Sequence, residues 1–122
     1  MQDYELTNLI FEVGYWRKAN QIHKWFVDNV QSGKDDCGNY KVSIEKLKEL
    51  LEVVNEILSE KNKKKQVELA KTLLPSQDGY FFGGLDYDTW YFQQLEKTKE
   101  IIKKLLKVKS LEYYEIKYGS SW

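Results

Sequence analysis

Pro75 to Phe92, PSQDGYFFGGLDYDTWYF, is the least ordinary stretch of this 122-residue chain. It packs three glycines and seven aromatic residues between segments that both read as amphipathic helix, so the chain must fold as helices that meet around an aromatic-rich turn. Asp78-Gly79 and Gly83-Gly84 mark tight turns, which leaves Tyr80, Phe81 and Phe82 as a short extended segment, about residues 80–82. Asp86 or Asp88 is placed to cap the next helix, with Thr89, Trp90, Tyr91 and Phe92 in its first turn. Free amides there favour an anion beside aromatic rings. The same residues also fit a hydrophobic staple within a core.

The helical segments follow from periodicity. From about 4 to 30 the apolar positions Val13, Tyr15, Trp16, Ala19, Ile22, Phe26, Val27 and Val30 fall on one arc of a long helix, with Asn20 and His23 near its middle. Buried polar groups need partners, so this pair is expected either to hold the backbone carbonyls of a neighbouring loop or to face a ligand. Arg17, Lys18, Gln21, Lys24 and Asp28 take the opposite side. Trp25 falls among them, which calls for cover from the chain, a second subunit or a ligand.

Gln31 to Lys41 reads as a loop, with Gly33 ending the first helix in the left-handed conformation. Ser43 caps a second helix, about 43–60, whose stripe runs Ile44, Leu47, Leu50, Leu51, Val54, Ile57 and Leu58. SEKNKKK has no apolar residue and is expected as an exposed connection. A third helix, about 66–74, ends at Pro75, and a fourth spans about 88–108. In the tail, Tyr114, Ile116 and Tyr118 alternate with charged residues, which predicts a strand over about 112–118, paired with residues 80–82 or with another subunit. Trp122 needs cover as well. The expected fold is mainly α: a four-helix bundle-like single domain with a small β-hairpin or bridge.

Charge and cysteine usage exclude several functions. Nineteen basic and nineteen acidic side chains cancel, which argues against a phosphate-backbone binder and makes nucleic acid a poor partner. One histidine and one cysteine cannot furnish a His/Cys metal site, and Asp35 and Asp36 lack the spacing of a calcium loop. Acidic neighbours raise the Cys37 thiol and argue against a reactive thiolate. No metal or cofactor is expected. No apolar run reaches the roughly 20 residues that span a bilayer, and the start MQDYELTN is unlike a signal peptide, so a cytoplasmic protein is expected.

Taken in order, YWRKANQIHKWFVDNVQ, DDCGNY, VSIEKLKELLE and LLPSQDGYFFGGLDYDTWYFQQLEKT resemble a family of small phage and prophage proteins, over roughly residues 13–98. The resemblance carries over no catalytic residue. It implies a viral accessory role in the host cytoplasm, of the kind that counters host defence by sequestering a signal or blocking a partner. Joined to the residues, it gives a first expectation. Trp16, Arg17, Asn20, His23, Tyr80, Phe82, Trp90 and Tyr91 border a pocket for a nucleotide-derived second messenger, of cyclic nucleotide or cyclic ADP-ribose type, held without catalysis. The alternative is an inhibitor that binds a host defence protein through exposed aromatics, with Trp25, Tyr114, Tyr118 and Trp122 as the interface or as a homo-oligomer contact. A third is an enzyme cleaving such a signal, with His23 as acid or base near Asp35 or Asp36.

Overall fold

The computed structural model describes residues 12–16, 19–33, 39–76, 87, 89–109, 111 and 114–119, with the side chains of Asn20 and Asn39 excepted. Within these, the chain is mainly helical with a small two-stranded antiparallel sheet. The elements are α1 (Asn20–Asn29), β1 (Asn39–Lys41), α2 (Ile44–Ser59), α3 (Lys63–Leu73), α4 (Thr89–Leu106) and β2 (Lys117–Gly119). The expected strand at 80–82 lies outside the described residues.

Helix α2 forms where the local signals agree. Ser43 Oγ accepts from the Lys46 amide at 3.1 Å, Glu45 sits in the positive first turn, and Leu47, Leu50, Val54 and Ile57 turn one buried stripe inward. That stripe packs chiefly on α4 and more lightly on α3. Helix α4 answers with Tyr91, Leu95, Ile102 and Leu105, and with two buried polar residues on the same stripe, Gln94 and Thr98.

Two helix starts differ from the sequence expectation. The first helix does not run from residue 4: residues 12–16 are not helical, and α1 begins at Asn20. Shortened in this way, α1 is enclosed on more than one side. Gln21 and Trp25, expected on its solvent face, are buried with Ile22, His23, Phe26 and Val27. Gln21 Nε2 donates to the Tyr91 carbonyl at 3.2 Å, which ties α1 to the start of α4. The helix ends as expected, with Gly33 at φ +80° and its amide donating to the Val27 carbonyl at 2.7 Å. The other difference is α3, which takes in the lysine run. Asn62 Oδ1 accepts from the Lys65 amide at 3.1 Å and starts the helix at Lys63, an N-cap strong enough to offset lysines in an unfavourable first turn.

The sheet corrects the expected pairing. The partner of β2 is β1, from the segment read as loop, in the register Asn39 with Gly119, Tyr40 with Tyr118 and Lys41 with Lys117. The Val42 amide extends it by donating to the Ile116 carbonyl at 2.8 Å. This pairing brings Tyr118 onto α1.

Candidate functional site

Beside this sheet lies a cleft of about 550 Å³, walled by the segment 12–16, α1, α4 and β2. Its floor is apolar: Phe26 from α1, Leu47 from α2, and Ile102 and Leu105 from α4. Those residues are there because each lies on the buried stripe of its helix, so the cleft opens directly onto the core.

The segment Glu12–Trp16 forms one wall because it is held against α4 at two points. Trp16 Nε1 donates to Thr98 Oγ1 at 2.8 Å, and the Thr98 hydroxyl donates in turn to the Gln94 carbonyl at 2.7 Å. Gly14 lies so close that a Cβ there would come 2.5 Å from Ile101 Cγ2. The side chain of Trp16 thereby faces the opposite wall, with its ring 6.0 Å from Phe26 and 6.4 Å from Tyr118.

That opposite wall is β2. Tyr118 lies flat on Phe26, with ring centroids 3.9 Å apart and planes 6° apart, and its hydroxyl is joined by a 2.8 Å hydrogen bond to Nδ1 of His23. His23 is only 2% exposed. The cleft therefore offers aromatic faces, a buried histidine bonded to a half-buried tyrosine, and one charge of each sign among its described lining residues, Glu12 and Lys117. Such a site suits a flat ring with polar edge atoms.

Among the residues expected in a ligand pocket, Trp16 and His23 stand in this cleft, and Tyr118, assigned to an interface, stands there with them. His23 Nδ1 is hydrogen-bonded to the Tyr118 hydroxyl. Tyr91 does not line the cleft. It is buried in the core, where its hydroxyl donates to the Leu74 carbonyl at 2.6 Å and burial pushes the phenol above its ordinary range. Trp90 is 44% exposed on α4, away from the cleft-lining set. Trp25 does not belong to a surface interface: it is 8% exposed and meets Phe26 edge to face at 5.2 Å. Tyr114 is 60% exposed and borders a shallower hollow with Ser43 to Lys46. Arg17, Tyr80, Phe82, Trp122, Cys37, Asp35, Asp36 and the side chain of Asn20 lie outside the described residues.

Thr98, which fixes Trp16, is a residue that the sequence reading missed. Its signal was a polar side chain on the apolar stripe of α4, the same signal that drew attention to His23. Among the described residues no group of three His, Cys, Asp or Glu is placed to hold a metal ion, and no helix is long and apolar enough to cross a membrane. No family model, curated protein or solved structure matches the chain.

Proposed function

We propose that this chain is a non-catalytic binding protein that takes the flat ring of a nucleotide-derived second messenger into the cleft beside β2 and so withholds the signal from a host receptor. The observation that carries this reading is the convergence of Trp16, Tyr118 and buried His23 on one cleft large enough for a small ligand. Stacking on aromatic side chains contributes about 1–3 kcal/mol per base in single-strand binders and requires no covalent step. Lys117 at the rim offers a cation to a phosphate. The viral setting implied by the sequence resemblance supplies the counter-defence role. The competing idea of an inhibitor docking through surface aromatics loses its best anchor, because Trp25 belongs to the core.

The test is a thermal-shift screen against cyclic dinucleotides, cyclic oligonucleotides and cyclic ADP-ribose isomers, followed by recovery of each compound after heat denaturation. A ligand present at a hundredfold its Kd stabilises by about 2.7 kcal/mol, a rise in Tm on the order of 10 °C for a domain of this size. The compound is expected back intact, and Trp16→Ala or His23→Ala should remove the shift. Recovery of an altered compound would replace the sponge with an enzyme. No shift with any member of the screen would overturn the reading.

A further inference from the structure

The most ligand-like object in the cleft is part of the protein. Tyr118 is a planar ring stacked by one face on Phe26 and hydrogen-bonded at its edge to His23, which is how a bound nucleobase would be held there. The element that carries it is weakly founded. Among the described residues β2 is three residues long and its sheet has two strands, and a sheet of that size is marginal without packing to support it. The Tyr118 ring supplies part of that packing, beside Ile116. The tyrosine thus holds the strand in place while filling the position with the best stacking partner and the buried hydrogen-bonding nitrogen.

We propose that Tyr118 is the resident occupant of the recognition subsite, and that a ligand ring takes its place against Phe26 and His23, releasing β2 from β1. This rests on the reading that the cleft binds a small planar ligand, and it adds which group that ligand displaces and what its ring edge must carry. The ring must carry a hydrogen-bonding group at its edge, in the place of the phenol hydroxyl, because a plain hydrocarbon ring would leave the buried His23 nitrogen without the bond that Tyr118 gives it. Nucleobases, with polar atoms around a flat perimeter, fit that description. Competition then sets the apparent affinity, since the observed Kd is the intrinsic value divided by the fraction of molecules with the strand released. Minor states of this kind are commonly populated at about 0.1–10%, so removing the tyrosine should tighten binding by about tenfold or more.

The experiment titrates cyclic di-GMP, cyclic di-AMP and 3′,5′-cyclic AMP into the full chain and into Tyr118→Gly and Tyr118→Phe, reading affinity by calorimetry and strand pairing by amide exchange at Val42. In the parent chain, binding should abolish protection of the Val42 amide, which donates to the Ile116 carbonyl. Tyr118→Gly should bind at least about tenfold tighter. Tyr118→Phe, which keeps the stack and loses the hydrogen bond, should fall between them and guards against misfolding of the glycine variant. Binding to the glycine variant alone would also support the proposal, as a parent subsite held shut. Binding with Val42 protection retained, or weakened by either substitution, would overturn the displacement while leaving the binding function intact. Absence of binding in all three proteins would overturn both.

Discussion

Tyr91 and Tyr118 are one residue type put to two uses, and the difference lies in what each hydroxyl meets. The Tyr91 hydroxyl satisfies the carbonyl of Leu74, at the end of α3, inside the core. The Tyr118 hydroxyl meets a histidine that lines a cleft. Removing the first should therefore affect stability and spare binding. Tyr91→Phe leaves a buried carbonyl without its donor, a loss of about 1–3 kcal/mol. At roughly 4 °C per kcal/mol for a domain of this size, the expected fall in Tm is about 4–12 °C. A thermal melt measures it, and calorimetry on the folded variant should find ligand affinity unchanged; reduced affinity in a normally folded variant would place Tyr91 in the site after all. Sequence could not separate the two tyrosines. Tyr91 follows Trp90 in an aromatic run and looks like part of a binding surface, yet the helical period points Tyr91 inward and leaves Trp90 outside. Trp25 shows the same limit, since its place among charged residues says nothing of the elements that cover it.

The elements themselves were legible in proportion to how local their causes are. Helix α2 has its cap, its dipole charge and its stripe within sixteen residues, and α4 keeps an unbroken period, so both fall close to where the sequence places them. The first helix was overextended because residues 12–16 continue the apolar period while their structure is decided elsewhere, by Thr98 and Ile101 on α4. The pairing of β2 with β1 has no sequence signal for the same reason, because a partner nearly eighty residues away leaves no trace in local pattern. If the 12–16 segment is shaped by α4, crowding that contact should reshape the cleft. In Gly14→Ala the new methyl meets Ile101 Cγ2, a branch fixed to the helix that cannot swing aside, and overpacking of this kind costs about 1–3 kcal/mol. Lifting the segment from α4 relieves the clash and withdraws Trp16 from the cleft. Ligand affinity should fall by about tenfold or more, the range implied by losing one stacked ring. Ile101→Ala combined with Gly14→Ala should recover most of the loss, and a double-mutant cycle that finds the two changes additive would refute the contact.

At the scale of the molecule, the chain is closed by contacts between distant segments, Trp16 with Thr98 and β1 with β2, and the second closure carries an ionic clasp. Lys41 Nζ lies 2.9 Å from one Glu115 oxygen and Lys117 Nζ lies 3.5 Å from the other. The hydrogen bond from Lys41 holds the Glu115 carboxyl below its ordinary pKa, with the charges of Lys117 and Lys41 adding to it, and the same bond holds Lys41 above its own. The two signs bound a window. A depressed carboxylate stabilises the folded state above its unfolded pKa, and that contribution is lost as pH falls through the lower folded value, below the usual carboxylate range near about 4. A raised lysine contributes fully below its unfolded pKa, and its contribution is lost as pH rises through the folded value, above about 10.5. Both groups are exposed, so the clasp is weak and screened by salt. The expectation is accordingly a local change and not global unfolding. The amide shift of Val42 should move toward its unpaired value below about pH 4, with the movement reduced in Glu115→Gln and at high salt. An acid limb that survives unchanged in Glu115→Gln would assign the loosening to another group. Where the limb follows Glu115, a surface ion pair joins the short ladder and the stack of Tyr118 on Phe26 in holding the strand beside the cleft that α1, α2 and α4 build.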